Sequence, residues 1–248
     1  MSGHNLARTA RRTVFPPVWA SVLAVIAHPD DDSLGLGAVL DAFVFSGAKV
    51  DVLCLTHGQT WTLDAAPGDL ATLRGSELAS AADVLGQVRV TMEDCPDGEL
   101  GEGSRNRLAT EVVSVADACH PDGLLVFDAP AVAGRLDHAT ASLIGMRAAE
   151  TLDLPVVGWT FSEAAIARLS QEFGACPTAR QDESIDLRVT VDRARQRVAS
   201  RAGTGLAMPG SARRRRLEVL AETESLRWLR PPRGLGSPAT SPTSSAPG

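Results

Sequence analysis

Tyrosine is absent from the 248 residues, and lysine occurs once, at Lys49. A mechanism that needs a phenol, or a lysine late in the chain, is thereby excluded. The four cysteines, Cys54, Cys95, Cys119 and Cys176, stand far apart with no Cys-x-x-Cys pair. That spacing argues against a disulfide framework or a cysteine-based zinc site and fits a reducing, cytoplasmic compartment. No run approaches the ~20 apolar residues that crossing a bilayer requires, so no membrane role is expected. A formal net charge of −6 gives no bulk attraction for nucleic acid, and four arginines at 213–216 read as a solvated face.

What is present is an apolar fraction of 44%, enough for the core of one α/β domain. Residues 1–17 read as a loose basic arm, 18–230 as a single domain, and 231–248 as a disordered tail rich in Pro, Ser and Gly. The stretch around Arg11-Arg12 has the outline of a twin-arginine leader. Pro16-Pro17 interrupt it, however, and cleavage after Ala27 would strip a charged turn of the strand that positions it. The run 21–27 therefore reads as a strand buried on both faces. Asp31 to Ser33 offer N-cap chemistry for a helix ending at Gly47. Strands follow at 49–56, 89–94, 123–129 and 155–161, with helices at 71–86, 106–120 and 137–152 between them. This alternation implies a Rossmann-like, three-layer α/β fold with a mostly parallel sheet. Beyond residue 160 the periodicity weakens; 183–191 reads as an edge strand and 211–230 as a terminal helix, with Leu217, Leu220 and Trp228 as packing residues.

Ligands gather at the carboxyl edge of a parallel sheet, where loops and helix N-termini converge. That rule sorts the histidines. His28, His57 and His138 follow strands, whereas His120 precedes one and His4 lies in the arm. "HPDD", 28–31, places an imidazole and two carboxylates in a turn stiffened by Pro29. "RLDHA", 135–139, brings a second imidazole from far along the chain. Two histidines and one aspartate leave an open coordination position on zinc, which marks a catalytic rather than a structural site. The leftover aspartate is then free to take a proton from water. His57 reads either as a loop residue with a local hydrogen bond or as a group facing substrate. Arg74 and Glu77, three apart on a helix, read equally as a surface pair. Asp128, at the end of the fourth strand, reads as structural.

With these motifs in hand, the chain resembles the LmbE-like, or PIG-L, de-N-acetylases. "AHPDDDSLGLG" is similar to the family's first signature, "LRGSELASAADVLG" with "CPDGEL" to its central helix and following element, and "GRLDHAT" to its second signature. The resemblance spans about 22–161. It implies a metal held by His28, Asp31 and His138, with Asp30 as general base. It further implies sugar contacts from Arg74 and Asp97, and Asp137 orienting a neighbouring catalytic group. The cofactor implied is Zn2+, with Fe2+ or manganese also compatible with such donors. The substrate implied is a small-molecule N-acyl amino sugar; homo-oligomerisation stays open. Three features depart from the pattern: Asp32 stands where relatives carry Glu, Arg135 where they carry the first histidine of the second signature, and "RARQRVASRAGTG", 193–205, lacks the family's Lys and H-x-S-Q motif. Arginine offers positive charge to an oxyanion but no proton near neutral pH, so Asp30 would also serve the leaving amine.

Three other readings compete. An aspartate-nucleophile phosphatase wants a downstream lysine that is missing. A nucleotide-binding turn wants glycines where this chain has carboxylates. The remaining alternative is a non-catalytic or altered-specificity member that binds a metal and a sugar-like ligand, suggested by Arg135.

Overall fold

The strand β1 (Ser21–Ile26) is buried along its whole length because its successive side chains enter two different cores. Val22, Ala24 and Ile26 join one apolar cluster, and Leu23, Val25 and Ala27 join the other. Residues 15–58, 67–86, 89–101, 105–128, 136–174, 180–181, 184–203 and 212–234 are described by a computed structural model of the chain. Residues 1–14 of the expected arm, 235–248 of the expected tail, Cys176 and Arg135 lie outside the described residues.

After β1 come a π-helical turn (Asp31–Gly35), α1 (Gly37–Phe45), β2 (Lys49–Thr56), α2 (Pro67–Leu85), β3 (Arg89–Cys95) and α3 (Arg105–Cys119). Then follow β4 (Gly123–Phe127), α4 (Leu136–Leu152), β5 (Val156–Thr160), α5 (Glu163–Phe173), β6 (Leu187–Thr190), α6 (Arg193–Gly203), α7 (Ala212–Val219) and β7 (Thr223–Arg230). Among the described residues the strands form one sheet in the order β3-β2-β1-β4-β5-β7-β6. The pairs β1–β2, β1–β4, β2–β3 and β4–β5 are parallel, and β7 runs antiparallel to both β5 and β6. The expected α/β fold with a mostly parallel sheet is therefore the observed one. The strand order turns back at β1, so the crevice between the ends of β1 and β4 is the topological switch point where ligands collect in such sheets.

Two local expectations give way. Residues 211–230 do not form one helix: α7 stops at Val219, and Thr223–Arg230 is a strand. Its leucines and arginines favour helix, but the edge of β5 needs a partner. The period-two arrangement then buries Glu224 and Leu226 on one face. The aspartates after His28 also do not cap a helix. Asp30 and Leu36, which precede the π-turn and α1, make no side-chain cap bond. A different task occupies Asp31.

Candidate metal centre

Asp31 folds its carboxylate back over the turn that carries it. Its Oδ2 accepts the backbone N–H groups of Ala27 (3.2 Å) and His28 (2.9 Å), which fastens the end of β1. Its Oδ1 lies 2.8 Å from His138 Nε2. His138 comes from the first turn of α4, and Ser142 Oγ holds that turn against β4, 2.7 Å from Phe127 O and 2.8 Å from His138 O. The ring of Phe127 closes the other side, 4.8 Å from the His138 ring. Gly35 makes this approach possible, since a Cβ there would sit 2.9 Å from Phe127 Cζ.

A third loop arrives after β3. Gly98 takes φ +88°, a conformation that glycine adopts without strain, and so lets the Asp97-Gly98 turn double back. Asp137 pins that turn, accepting from Gly98 N at 2.7 Å and Leu100 N at 3.2 Å. Both acids meet the same imidazole nitrogen: His28 Nε2 is 2.9 Å from Asp97 Oδ1 and 3.2 Å from Asp137 Oδ2. With Nε2 so engaged, His28 Nδ1 has no hydrogen-bond partner among the described residues, and neither has His138 Nδ1.

The charge in this buried cluster is unbalanced. Burial by itself would lower the pKa of His28, but its hydrogen bond to Asp97 and the attraction of the Asp31 and Asp97 charges, the former 3.6 Å from Nδ1, raise it to about 11. Burial would raise the pKa of Asp31, yet the charge and hydrogen bond of His138, with those of His28, hold it well below the usual carboxylate range. Three carboxylates converge on two imidazoles, so one bound divalent cation fits better than protonation alone. The donor set fits as well: one donor atom each from His28, Asp31 and His138 lies within 4.8 Å of the others. The same holds for His28, Asp97 and Asp137, but those acids are occupied in tying His28 Nε2 and the β3–α3 loop. A metal-binding imidazole commonly donates its second nitrogen to a carboxylate in this manner.

The remaining sequence-predicted residues fall around this centre. Asp30 is half-buried, while Asp31 and Asp32 beside it are buried. Asp97 turns its carboxylate onto His28, with a side chain 2% exposed. Arg74 pairs with Glu77 at 2.7 Å, but both side chains are buried, so this is no surface pair. Arg74 Nε has no partner among the described residues. His57 Nε2 lies 3.6 Å from the exposed Asp94. Asp128 is paired with Arg180 at 2.8 Å and Arg227 at 3.2 Å. Cys54, Cys95 and Cys119 are free thiols. Sequence reasoning missed Phe127 and Ser142, whose contacts with His138 arise between elements and leave no local motif.

Residues 23–149 match the family model described as PIG-L, GlcNAc-PI de-N-acetylase. The chain is 32% identical over 138 residues to a diacetylchitobiose deacetylase of Thermococcus kodakarensis, covering 54% of this chain and 51% of that protein. It is 28% identical over 146 residues to a 1D-myo-inositol 2-acetamido-2-deoxy-alpha-D-glucopyranoside deacetylase of Saccharopolyspora erythraea, covering 48% and 53%. The chain thus spans about half the length of these relatives. Two solved structures share its fold. One is the N,N'-diacetylchitobiose deacetylase of Pyrococcus horikoshii, with TM-score 0.63 and 17% identity over 86% of this chain and 85% of that one. The other is the 4-carboxy-2-hydroxymuconate hydratase of Pseudomonas putida, with TM-score 0.64 and 16% identity over 88% and 99%.

Proposed function

The chain belongs to the PIG-L family of GlcNAc-PI de-N-acetylases, and we propose that it is a metal-dependent hydrolase that removes the acyl group from an N-acetylglucosamine-containing small molecule. His28, Asp31 and His138 are the proposed ligands, and zinc the proposed metal. The observation that carries this reading is the meeting of His28, Asp31 and His138, from segments more than a hundred residues apart, around one buried point. When bound there, a divalent ion supplies Lewis acidity that makes water nucleophilic near neutral pH and polarises an amide carbonyl.

The chain's own residues do the rest. Asp30, half-buried while its neighbours are buried, accepts the proton of the attacking water and returns it to the leaving amine. Asp97 and Asp137 hold the His28 ring by its Nε2 and so fix which nitrogen faces the metal. Arg135 supplies positive charge to the developing oxyanion, and Arg74 contacts the sugar. Among the described residues no helix is long and apolar enough to cross a membrane.

The test is release of free amine and acetate from N-acetylglucosamine derivatives by the full chain. Activity should vanish with a chelator and return with zinc. In Asp30→Asn, kcat should fall by about 10²–10⁴-fold while bound zinc is retained. Hydrolysis that survives both perturbations would defeat the mechanism. Arg135 favours a second reading, a family member that binds metal and a sugar-like ligand without hydrolysis; zinc uptake with no amine released from any such substrate would select it.

A further inference from the structure

Behind the metal turn, α6 reaches across to the backbone of the π-helical segment. Gln196 is completely buried, and its Nε2 donates to Ser33 O at 2.9 Å. Ser33 is the middle residue of Asp31–Gly35, two positions beyond the proposed ligand Asp31. On its other side Gln196 Oε1 accepts from Arg193 NH1 at 2.5 Å. Arg193 is itself buried and paired with Glu224 Oε1 at 2.7 Å, and Glu224 Oε2 accepts from Trp159 Nε1 at 2.8 Å. A guanidinium has donors and no acceptor, so only the carbonyl end of Gln196 can face it. The amide is therefore forced to present its NH2 to Ser33. Packing leaves little slack: a Cβ on Gly37 would lie 3.3 Å from Gln196 Cγ and 2.8 Å from Asp32 O.

A π-helical turn is a rare element, seen mostly as a single turn and often at functional sites. We infer that Gln196 is a positioning residue for the metal centre: by its bond to Ser33 O it sets the π-turn that aims Asp31 at His138. The inference rests on the metal reading proposed above. Trp159, Arg193, Gln196 and Glu224 all lie beyond residue 149, where the match to the family model ends. The chain beyond residue 149 thus reaches the segment that carries Asp31.

The experiment uses the full chain, freed of metal, and measures zinc affinity by chelator competition in wild type, Gln196→Met and Asp31→Asn. Gln196→Met keeps the volume and removes the bond. It should weaken zinc binding about ten-fold, the low end of what an outer hydrogen-bond partner contributes, while circular dichroism shows the fold retained. Affinity equal to wild type in a folded Gln196→Met chain overturns the inference alone. Zinc uptake by Asp31→Asn as tight as wild type, or none by wild type, removes the metal reading and this inference with it. A second measurement needs no variant, because coupling is reciprocal. In wild type, zinc should shift the side-chain amide resonances of Gln196 and leave those of the exposed Gln171 unmoved. A Gln196 amide indifferent to zinc overturns the inference even if Gln196→Met does not fold.

Discussion

Asp31 Oδ1 and His138 Nε2 lie 2.8 Å apart although 107 residues separate them in the chain. The contact joins the end of β1 to the start of α4 across the switch point of the sheet, and both side chains are nearly sealed from water. It organises the expectations that follow.

Asp31→Asn keeps the shape of the side chain and removes its charge. Zinc affinity should fall by more than ~100-fold, beyond the loss expected for an outer partner. The amide NH2 also cannot accept the backbone N–H groups of Ala27 and His28 as Oδ2 does. Bound zinc per chain after dialysis, measured by elemental analysis, checks this; stoichiometric metal would refute it.

The metal-free chain should depend on pH in two directions. The pKa of His28 is raised from 6.5 to about 11, so the stability it contributes is fully present below pH 6.5 and is lost as pH rises toward 11. Asp31 is lowered from 3.8, so its contribution is present above pH 3.8 and is lost as pH falls further. A metal held by His28, as proposed above, would take the place of that proton. Thermal unfolding from pH 6 to 9 should therefore show melting temperature declining in chelator and holding level in zinc. Parallel curves would count against the site.

Gly35→Ala should injure the centre through an aromatic ring. The new methyl would sit 2.9 Å from Phe127 Cζ, and that ring already lies 4.8 Å from the His138 ring. Overpacking of this kind costs about 1–3 kcal/mol. Urea unfolding should register the loss, and zinc affinity should fall with it; an alanine accepted without change in either would show that Phe127 has room to move.

Arg193 and Glu224 form a buried pair whose halves are not separable. Burial raises the pKa of Glu224, although Arg193 and the Trp159 N–H both pull it down. Arg193→Met leaves that acid without its partner and should destabilise by about 3–5 kcal/mol, whereas Arg193→Met with Glu224→Leu should recover much of the loss. Denaturant titration of the two variants decides; equal losses would mean the pair's charges are not the source.

How much of this was legible in the chain follows the range of the forces involved. The central strands β1, β4 and β5 announce themselves because a strand covered on both faces is apolar at nearly every position, as in Val22 to Ala27. Residues 223–230 did not, because their composition favours helix and only the open edge of β5 made them a strand. The same holds at the centre. That His28, the aspartates beside it and His138 form a metal-loving set was readable from residue types and from the rule that strand ends converge. Which atoms meet was not.

Sequence alone determined the donor inventory and the edge of the sheet where it gathers, because side-chain chemistry and strand patterning are local. Tertiary structure alone decided that Asp31 turns inward, that Asp97 and Asp137 take His28 by Nε2, and that Gln196 grips Ser33 from behind. Those assignments depend on distances of a few ångströms between distant segments, and such distances are set by how whole elements pack, which no short stretch of residues encodes.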